Sequence, residues 1–509
     1  MKHAVFVKNA AVLTATSCLL RTIGIFFRIY LAGAIGAEGM GLYQLIISIY
    51  VLASTFATAG ISTAVTRLVA DELVCGTALS VRRVVRRSIT ISVLLGVVSA
   101  ALIFFSAPLI SEWFIKDVRA TPALKMLAFS LPSMGISSCL RGYFIARRRA
   151  ADTSGTQLLE QAVRIGVVMA MLSRVAHKGL AASCFAVMLG DTVAEWAACL
   201  CLVIDCRLDR RRLKQELPPR AATTAPVVRR LLAIAAPITA GRYLNSVLRT
   251  VENLLVPHSI ARFLGSKEQG FAQFGALKGM ALPLIFFPAS FLGALSTLLI
   301  PEISAANTLH QYHKINRAVE RTLQLTLGAS ILIGTVFTAF SAPLGEILYH
   351  SRDVGIYLRV LAPLTPIMYL ESMVDGILKG LNQQVHSLAY SVTDSALRIV
   401  LIVLVVPKFG MGGFLGVMVI SNVLTSFLNV GRLMKVTGLR LRVADWVVKP
   451  AFCAFGGAAI GLFTFFALSS AAPRIMAAVL GILSLCAGYA LLLLATKTVQ
   501  FPKQLRTAP

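Results

Sequence analysis

The stretch LKMLAFSLPSM (124–134) returns 234 residues later as LRVLAPLTPIM (358–368). Leu124 falls on Leu358, Lys125 on Arg359, Leu127 on Leu361 and Ala128 on Ala362. Pro132 falls on Pro366, Met134 on Met368 and, further along, Gly142 on Gly376. The same shift sets Glu160 on Asp394, Arg164 on Arg398, Ile165 on Ile399, and Ser62-Thr63 on Ser296-Thr297. A shift of 228 sets Arg21-Thr22 on Arg249-Thr250, as a longer loop after the seventh apolar run would require. Identities among apolar residues are cheap. A matched proline, two matched acid-x-x-x-Arg pairs and a constant shift are not, and together they define an internal repeat.

Each copy is built from apolar runs of about 18–25 residues, the length that spans a ~30 Å hydrocarbon core as a helix. The 509 residues are 57% hydrophobic and only 14% charged, with a mean hydropathy of +0.78. Soluble domains carry about a quarter charged residues. Long, unalternating runs satisfy their backbone in lipid as helices, not as barrel strands. The sequence therefore predicts an all-α integral membrane protein with about fourteen transmembrane helices. They fall near 9–33, 41–64, 87–109, 122–146, 156–174, 179–204, 229–256, 270–300, 321–348, 356–381, 388–406, 411–432, 447–469 and 474–496. Arg21 and Arg28 interrupt the first run and further runs follow at once, so it does not read as a cleaved signal peptide.

Six helices per copy is an even number, so both copies enter the membrane from the same side and form a parallel repeat. The expected organisation is a six-helix lobe (1–204), a linker (205–228) containing Pro218 and Pro219, and a second six-helix lobe (229–435). Two further transmembrane helices and a tail (436–509) complete it. Two lobes facing a central cleft suit alternating access and argue for a transporter.

With the N-terminus inside, inner segments hold about 30 of the Lys and Arg residues and outer loops about nine, out of 49. The inner set includes Arg82, Arg83, Arg86 and Arg87, Arg147–Arg149, and the run from Arg207 to Arg230. This places a multi-pass chain in the cytoplasmic membrane with both termini cytoplasmic. It also explains the net charge of +27 through topology and contact with anionic membrane lipids, not nucleic acid. The nine cysteines form no CxxC and no Cys/His set with metal-ligand spacing. No cofactor, metal or catalytic residue is expected, and no phosphate-cradling Gly-rich loop is present.

The informative charges lie inside the runs. Arg21 and Arg28 stand seven residues apart, on one helix face, and Arg242 and Arg249 repeat that spacing in the seventh helix. Lys278 lies in the eighth. Arginine in mid-bilayer costs roughly 2.5–3.5 kcal/mol, so these bases should face a watery cleft or be paired. Glu252 stands at i+3 from Arg249 and is its expected partner. The first helix offers no carboxylate before Glu38. An unpaired cationic face predicts an anionic substrate, and the guanidinium fork suits phosphate. Glu160–Arg164 and Asp394–Arg398 read as ion pairs within each lobe. Asp191, Glu195, Glu371 and Asp375 show no nearby partner in sequence and are candidate coupling sites.

RTIGIFFRIYLAGAIGAEGMGLYQL (21–45) and GMALPLIFFPASFLGALSTLLIPEIS (279–304) resemble the stage V sporulation protein B family of polysaccharide transporters. That family shares a superfamily with the lipid II flippases and the MATE drug exporters. The resemblance rests on the Gly-Ala-Glu-Gly-x-Gly-x-Tyr stretch from Gly36 to Tyr43 and on Leu299 to Ser304. It implies a flippase for an undecaprenyl-pyrophosphate-linked saccharide, a peptidoglycan precursor or another envelope polysaccharide, with cell-wall synthesis proteins as partners. It implies substrate-binding bases at Arg21, Arg28 and Lys278, to which position adds Arg242 and Arg249. A second-helix arginine found in lipid II flippases has no counterpart in 41–60. If transport is coupled to sodium, protons or the membrane potential, Glu252 and Asp394 are the candidate carboxylates. The resemblance adds Asn422 and Thr425 as oxygen donors. The alternative on this fold is a MATE-type ion-coupled exporter of small molecules or drugs, which would want an acidic site in the first lobe's cleft. A membrane enzyme would need large outer loops with catalytic groups, and these loops are short.

Overall fold

The computed structural model describes residues 2–58, 60–216, 227–309, 311–439 and 442–496. Among the described residues there are helices and short connections and no strand. The linker prolines Pro218 and Pro219 lie outside the described residues, as do the side chains of 294–302.

Contacts divide the chain into two compact units, Met1–Gly275 and Ala276–Pro509. The first holds α1 (Lys2–Thr58), α2 (Ile61–Cys75), α3 (Ala78–Leu109), α4 (Thr121–Ala128), α5 (Leu131–Ala146), α6 (Ala150–Val175), α7 (Leu180–Glu216), α8 (Val227–Leu264) and α9 (Lys267–Phe274). The second begins in a π-helical turn, Gly275–Ala281, and holds α10 (Leu282–Thr308), α11 (Tyr312–Ala339), α12 (Ser341–Tyr349) and α13 (Arg352–Leu361). It continues with α14 (Thr365–Gly380), α15 (Gln384–Thr437), α16 (Lys449–Ser469) and α17 (Arg474–Ala495). By the sequence repeat, α8 opens the second copy; by contact it packs in the first unit, along α1 and α2.

Nine helices among the described residues are long and apolar enough to cross a membrane, ten when a pair bent by 44° across 118–146 counts as one. Two of the nine are multiple crossings. Thr14–Val74 has 61 residues and Gln384–Thr437 has 54, or about 90 and 80 Å of helix at ~1.5 Å per residue against a ~30 Å core. The backbone leaves helical geometry inside each, at Gly36 (φ 71°) and at Gly410 (φ 58°). Each of the fourteen apolar stretches lies on a helix or a bent pair of helices. The chain is an all-α integral membrane protein.

The breaks carry the repeat into the backbone. Among the described residues four non-glycine residues have positive φ, and they form two pairs, Lys116 with His350 and Arg148 with Asn382, both 234 residues apart. The helix starts capped by Asp117 and Ser351 are 234 apart as well. So are α5 and α14, which run from Leu131 to Ala146 and from Thr365 to Gly380. Both carry a proline-marked bend: Pro132 sits in the first turn of α5, Pro363 lies within the 3-10 turn Ala362–Leu364 before α14, and Pro366 sits in the first turn of α14. Proline fits a first turn because its missing N–H would be unbonded there anyway.

The first unit packs Leu68, Val85, Leu140, Phe144, Leu202 and Leu231, from α2, α3, α5, α7 and α8, into one apolar core. The second packs Leu323, Ile377, Leu433 and Trp446 in the same manner.

Candidate functional site, an arginine-lined cavity on α8

Helices α1 and α8 touch through small polar side chains. Thr250 Oγ1 donates to Ser48 O at 3.2 Å, and Asn253 Nδ2 donates to Ser48 Oγ at 2.9 Å. Thr55 Oγ1 reaches Ser246 Oγ at 3.5 Å. Small residues let two backbones approach, and hydroxyls and amides join helices where hydrocarbon cannot. Nearer the start of α8, Arg230 Nη1 meets Glu72 Oε1 of α2 at 2.9 Å and its Nη2 lies 3.6 Å from Asp71.

On one side of this seam is a cavity of ≈ 500 Å³ lined by Gln44, Ser48, Thr55, Arg242, Asn245, Arg249 and neighbouring α1 and α8 residues. Among the described residues no carboxylate lines it. On the other side lies an apolar crevice of ≈ 380 Å³ lined by Ile49, Leu52, Phe56, Tyr243, Val247 and Leu254. Thr250 borders both. The α1–α8 contact thus separates a basic, amide-rich space from a hydrocarbon-like one.

Of the five bases expected at the substrate site, the structure brings Arg242 and Arg249 together at the cavity. Arg21 is exposed and Arg28 half-buried on α1, before the break at Gly36, and neither lines it. Among the described residues none of these four arginines forms an ion pair. Lys278 belongs to the second unit, on the π-helical turn, with its Nζ 5.9 Å from the centre of the Phe414 ring. The expected Arg249–Glu252 pair does not form. Arg249 is exposed at the cavity whereas Glu252 is buried; the i+3 spacing lets two side chains meet without requiring it, and packing around α8 covers the acid while leaving the base at the cavity.

The predicted acid–base pairs are present. Arg398 Nη2 meets Asp394 Oδ2 at 2.7 Å. Ser421, on the far side of the Gly410 break, donates to Asp394 Oδ1 and accepts from Arg398 Nε at 3.0 Å. Asn422 and Thr425, the other oxygen donors expected near Asp394, are buried and bond back to their own helix, to Met418 O at 2.7 Å and Ser421 O at 2.9 Å. In the first unit Arg164 Nη2 meets Glu160 Oε1 at 2.8 Å. Two partners that the sequence does not suggest join it: Arg141 Nη2, 2.7 Å from Glu160 Oε2, and Asp191, 2.6 Å from Arg164 Nε. Asp375 pairs with Lys379 at 2.5 Å and accepts from Ser387. No group of three His, Cys, Asp or Glu among the described residues could hold a metal ion.

The Gly36–Tyr43 stretch owes its composition to packing. Gly36 supplies the left-handed bend, and a Cβ on Gly41 would lie 2.1 Å from the Phe271 carbonyl oxygen of α9. Glu38 pairs with Arg119 at 2.7 Å.

Known proteins agree with this architecture. Stage V sporulation protein B of Bacillus subtilis (strain 168) is 24% identical over 477 residues, 92% of each chain. Lipid II flippase MurJ of the same organism is 21% identical over 416 residues, 77% of this chain and 76% of that one. A solved lipid II flippase in an inward closed conformation superposes with a TM-score of 0.66 at 13% identity, covering 96% of this chain and all of the other. The MatE family matches residues 258–404. The polysaccharide biosynthesis protein family matches residues 6–306, well over half of the 509, and this chain, a membrane transporter, belongs to that family.

Proposed function

We propose that the protein moves a saccharide carried on undecaprenyl pyrophosphate across the cytoplasmic membrane by alternating access, as a step in building peptidoglycan or another envelope polysaccharide. The observation that carries this reading is the α1–α8 cavity, where Arg242 and Arg249 stand without a carboxylate. Two planar donor forks beside amides suit a pyrophosphate and sugar hydroxyls. The apolar crevice across the seam suits the isoprenoid chain of the same molecule. Arg21, Arg28 and Lys278 extend the basic path in other parts of the cycle. The relatives named for lipid II transport and for sporulation support the same class of cargo. A cationic drug would want an acid in the cavity, so the exporter reading gains nothing from it.

Both six-helix copies, 1–204 and 229–435, take part, joined by a cytoplasmic linker at 205–228, with both termini cytoplasmic. Glu252 or Asp394 provides the carboxylate for any sodium coupling, and membrane lipids and cell-wall synthesis proteins are the natural partners. The test is reconstitution in vesicles with candidate undecaprenyl-pyrophosphate saccharides. Losing a charge-assisted hydrogen bond of about 1.5–3 kcal/mol corresponds to about tenfold to hundredfold in binding. Arg249→Ala and Arg242→Ala are expected to lose transport on that scale while still inserting and purifying as monodisperse protein. Arg249→Lys, which keeps charge but not the fork, is expected to fall between. Transport by Arg249→Ala equal to the unmodified protein would remove the pyrophosphate from this cavity.

A further inference from the structure

Helices α5, α6 and α7 gather three carboxylates and two guanidiniums in the first unit, away from the cavity lining. Glu160 receives both Arg141 and Arg164, and Asp191 takes Arg164 Nε. Arg164 Nη1 is spent on Gln161 Oε1 at 2.7 Å. The third acid, Glu195, is one helical turn beyond Asp191 and 7% exposed, and its buried Oε2 has no hydrogen-bond partner. Arg141 Nε, in the same cluster, is likewise a buried donor without an acceptor.

The groups facing Glu195 can be named helix by helix. They are Arg141 from α5, Glu160 and Arg164 from α6, and Asp191 on its own helix. Cys199, on the next turn, and Tyr50, from α1, also lie within electrostatic reach, the Tyr50 hydroxyl being 2.7 Å from Ser130 Oγ. Lys125 of α4 sits over the Phe104 ring at 5.4 Å instead. Arg28 of α1 acts on Asp191. Both cluster guanidiniums are thus ion-paired to other acids, with Arg141 Nε left over. A buried, unpaired carboxylate is not kept ionised; the group takes up a proton.

We propose that Glu195 is a proton-binding site of the first unit, its carboxyl neutral in this conformation and exchanging its proton with water during the transport cycle. On deprotonation the proton leaves Oε2 for water, and the carboxylate turns to the vacant Arg141 Nε. That adds a tie from α5 to α7 beside the Arg164–Asp191 tie from α6.

Infrared difference spectroscopy on the full-length protein in lipid vesicles, between alkaline and acidic buffer, tests the site without any substrate. The expected result is a protonated-carboxyl band that disappears in Glu195→Gln and survives in Glu160→Gln, whose carboxylate is ion-paired. No such band in the unmodified protein, or a band that survives in Glu195→Gln, overturns the proposal. If the Gln variant does not fold, a hydrophobic carbodiimide decides on the unmodified protein, since it reacts with protonated carboxyls. Adducts on Glu195 that fade in alkaline buffer support the site, and adducts confined to other acids overturn it.

Discussion

Glu160–Arg164 in the first unit and Asp394–Arg398 in the second occupy matching places in the repeat, and their surroundings differ. The second-unit pair is closed by the Ser421 hydroxyl, which donates to the acid and accepts from the base. The first-unit pair is open: a second guanidinium, a second acid and an orphaned third carboxyl surround it. Counted from the left-handed glycines Gly179 and Gly410, Asp191 corresponds to Asn422 and Glu195 to Ser426. The same backbone thus carries a hydroxyl-bridged joint in one copy and, in the other, a joint with an unbonded buried carboxyl oxygen. Duplication supplies the frame, and a few acids on one helix decide whether a joint is a rivet or a titratable site.

The largest effect should come from breaking the closed joint. Arg398→Met strands Asp394, which is buried, beside a hydroxyl alone. Removing one partner of a buried ion pair costs about 3–5 kcal/mol, whereas replacing both is often close to neutral. Thermal unfolding in detergent is expected to show a steep fall for Arg398→Met and recovery of most of it in the Asp394→Asn, Arg398→Met double variant. Arg141→Met should fall less, since Arg164 still holds Glu160. Equal losses at Arg141 and Arg398 would remove the distinction between the two copies.

A middle-sized effect belongs to the hydroxyl that closes the second-unit joint. Ser421→Ala removes an acceptor for Arg398 and a donor to Asp394 at once. Hydrogen bonds to charged groups are worth about 1.5–3 kcal/mol, so the loss should lie there and be visible in the same unfolding measurement. The first-unit joint has Gln161 instead, a half-buried amide on the same helix as Arg164. Gln161→Leu is expected to cost about 1 kcal/mol, the usual net value of one hydrogen bond. A Ser421→Ala protein as stable as the parent would mean that water closes the joint equally well.

Much of this was legible along the chain, and the limits follow from what a linear pattern encodes. Apolar runs report the spans because lipid enforces their length. The constant shift reports the repeat down to the left-handed residues Lys116 and His350, since a bend that ends a helix recurs with its neighbours. Intrahelical pairs such as Asp394–Arg398 are visible at four-residue spacing. Contacts across helices are not: Arg141 to Glu160 spans 19 residues and Ser421 to Asp394 spans 27, and nothing in the periodicity selects those partners. The Arg249–Glu252 expectation failed for a related reason. Spacing shows that two side chains can reach one another, but burial of α8 against its neighbours decides that one faces the core and the other the cavity. The cavity itself arises where α1 and α8 cross, 202 residues apart at Ser48 and Thr250, and only the fold brings those faces together.

The smallest expected effect is the sharpest on the comparison. If Glu195 is neutral and unpartnered in the folded protein, Glu195→Gln exchanges one neutral planar group for another of nearly the same shape. The amide adds N–H donors beside Glu160 and Asp191, which are acceptors, and leaves the Arg141–Glu160 and Arg164–Asp191 ion pairs in place. Stability should change by less than about 1 kcal/mol, with a small gain the expected sign. If instead Glu195 were ionised and held by Arg141, the same substitution would discharge one partner of a buried pair and cost about 3 kcal/mol or more. The two cases differ by several degrees in melting temperature in a protein of this size and can be read on one instrument with Arg398→Met as the internal scale. A fall at Glu195→Gln as deep as that at Arg398→Met would make the first-unit joint a closed ion network like the second. A flat or slightly raised melting temperature leaves the asymmetry in place and puts the proton on the seventh helix of the first unit, in the copy that also carries Arg28.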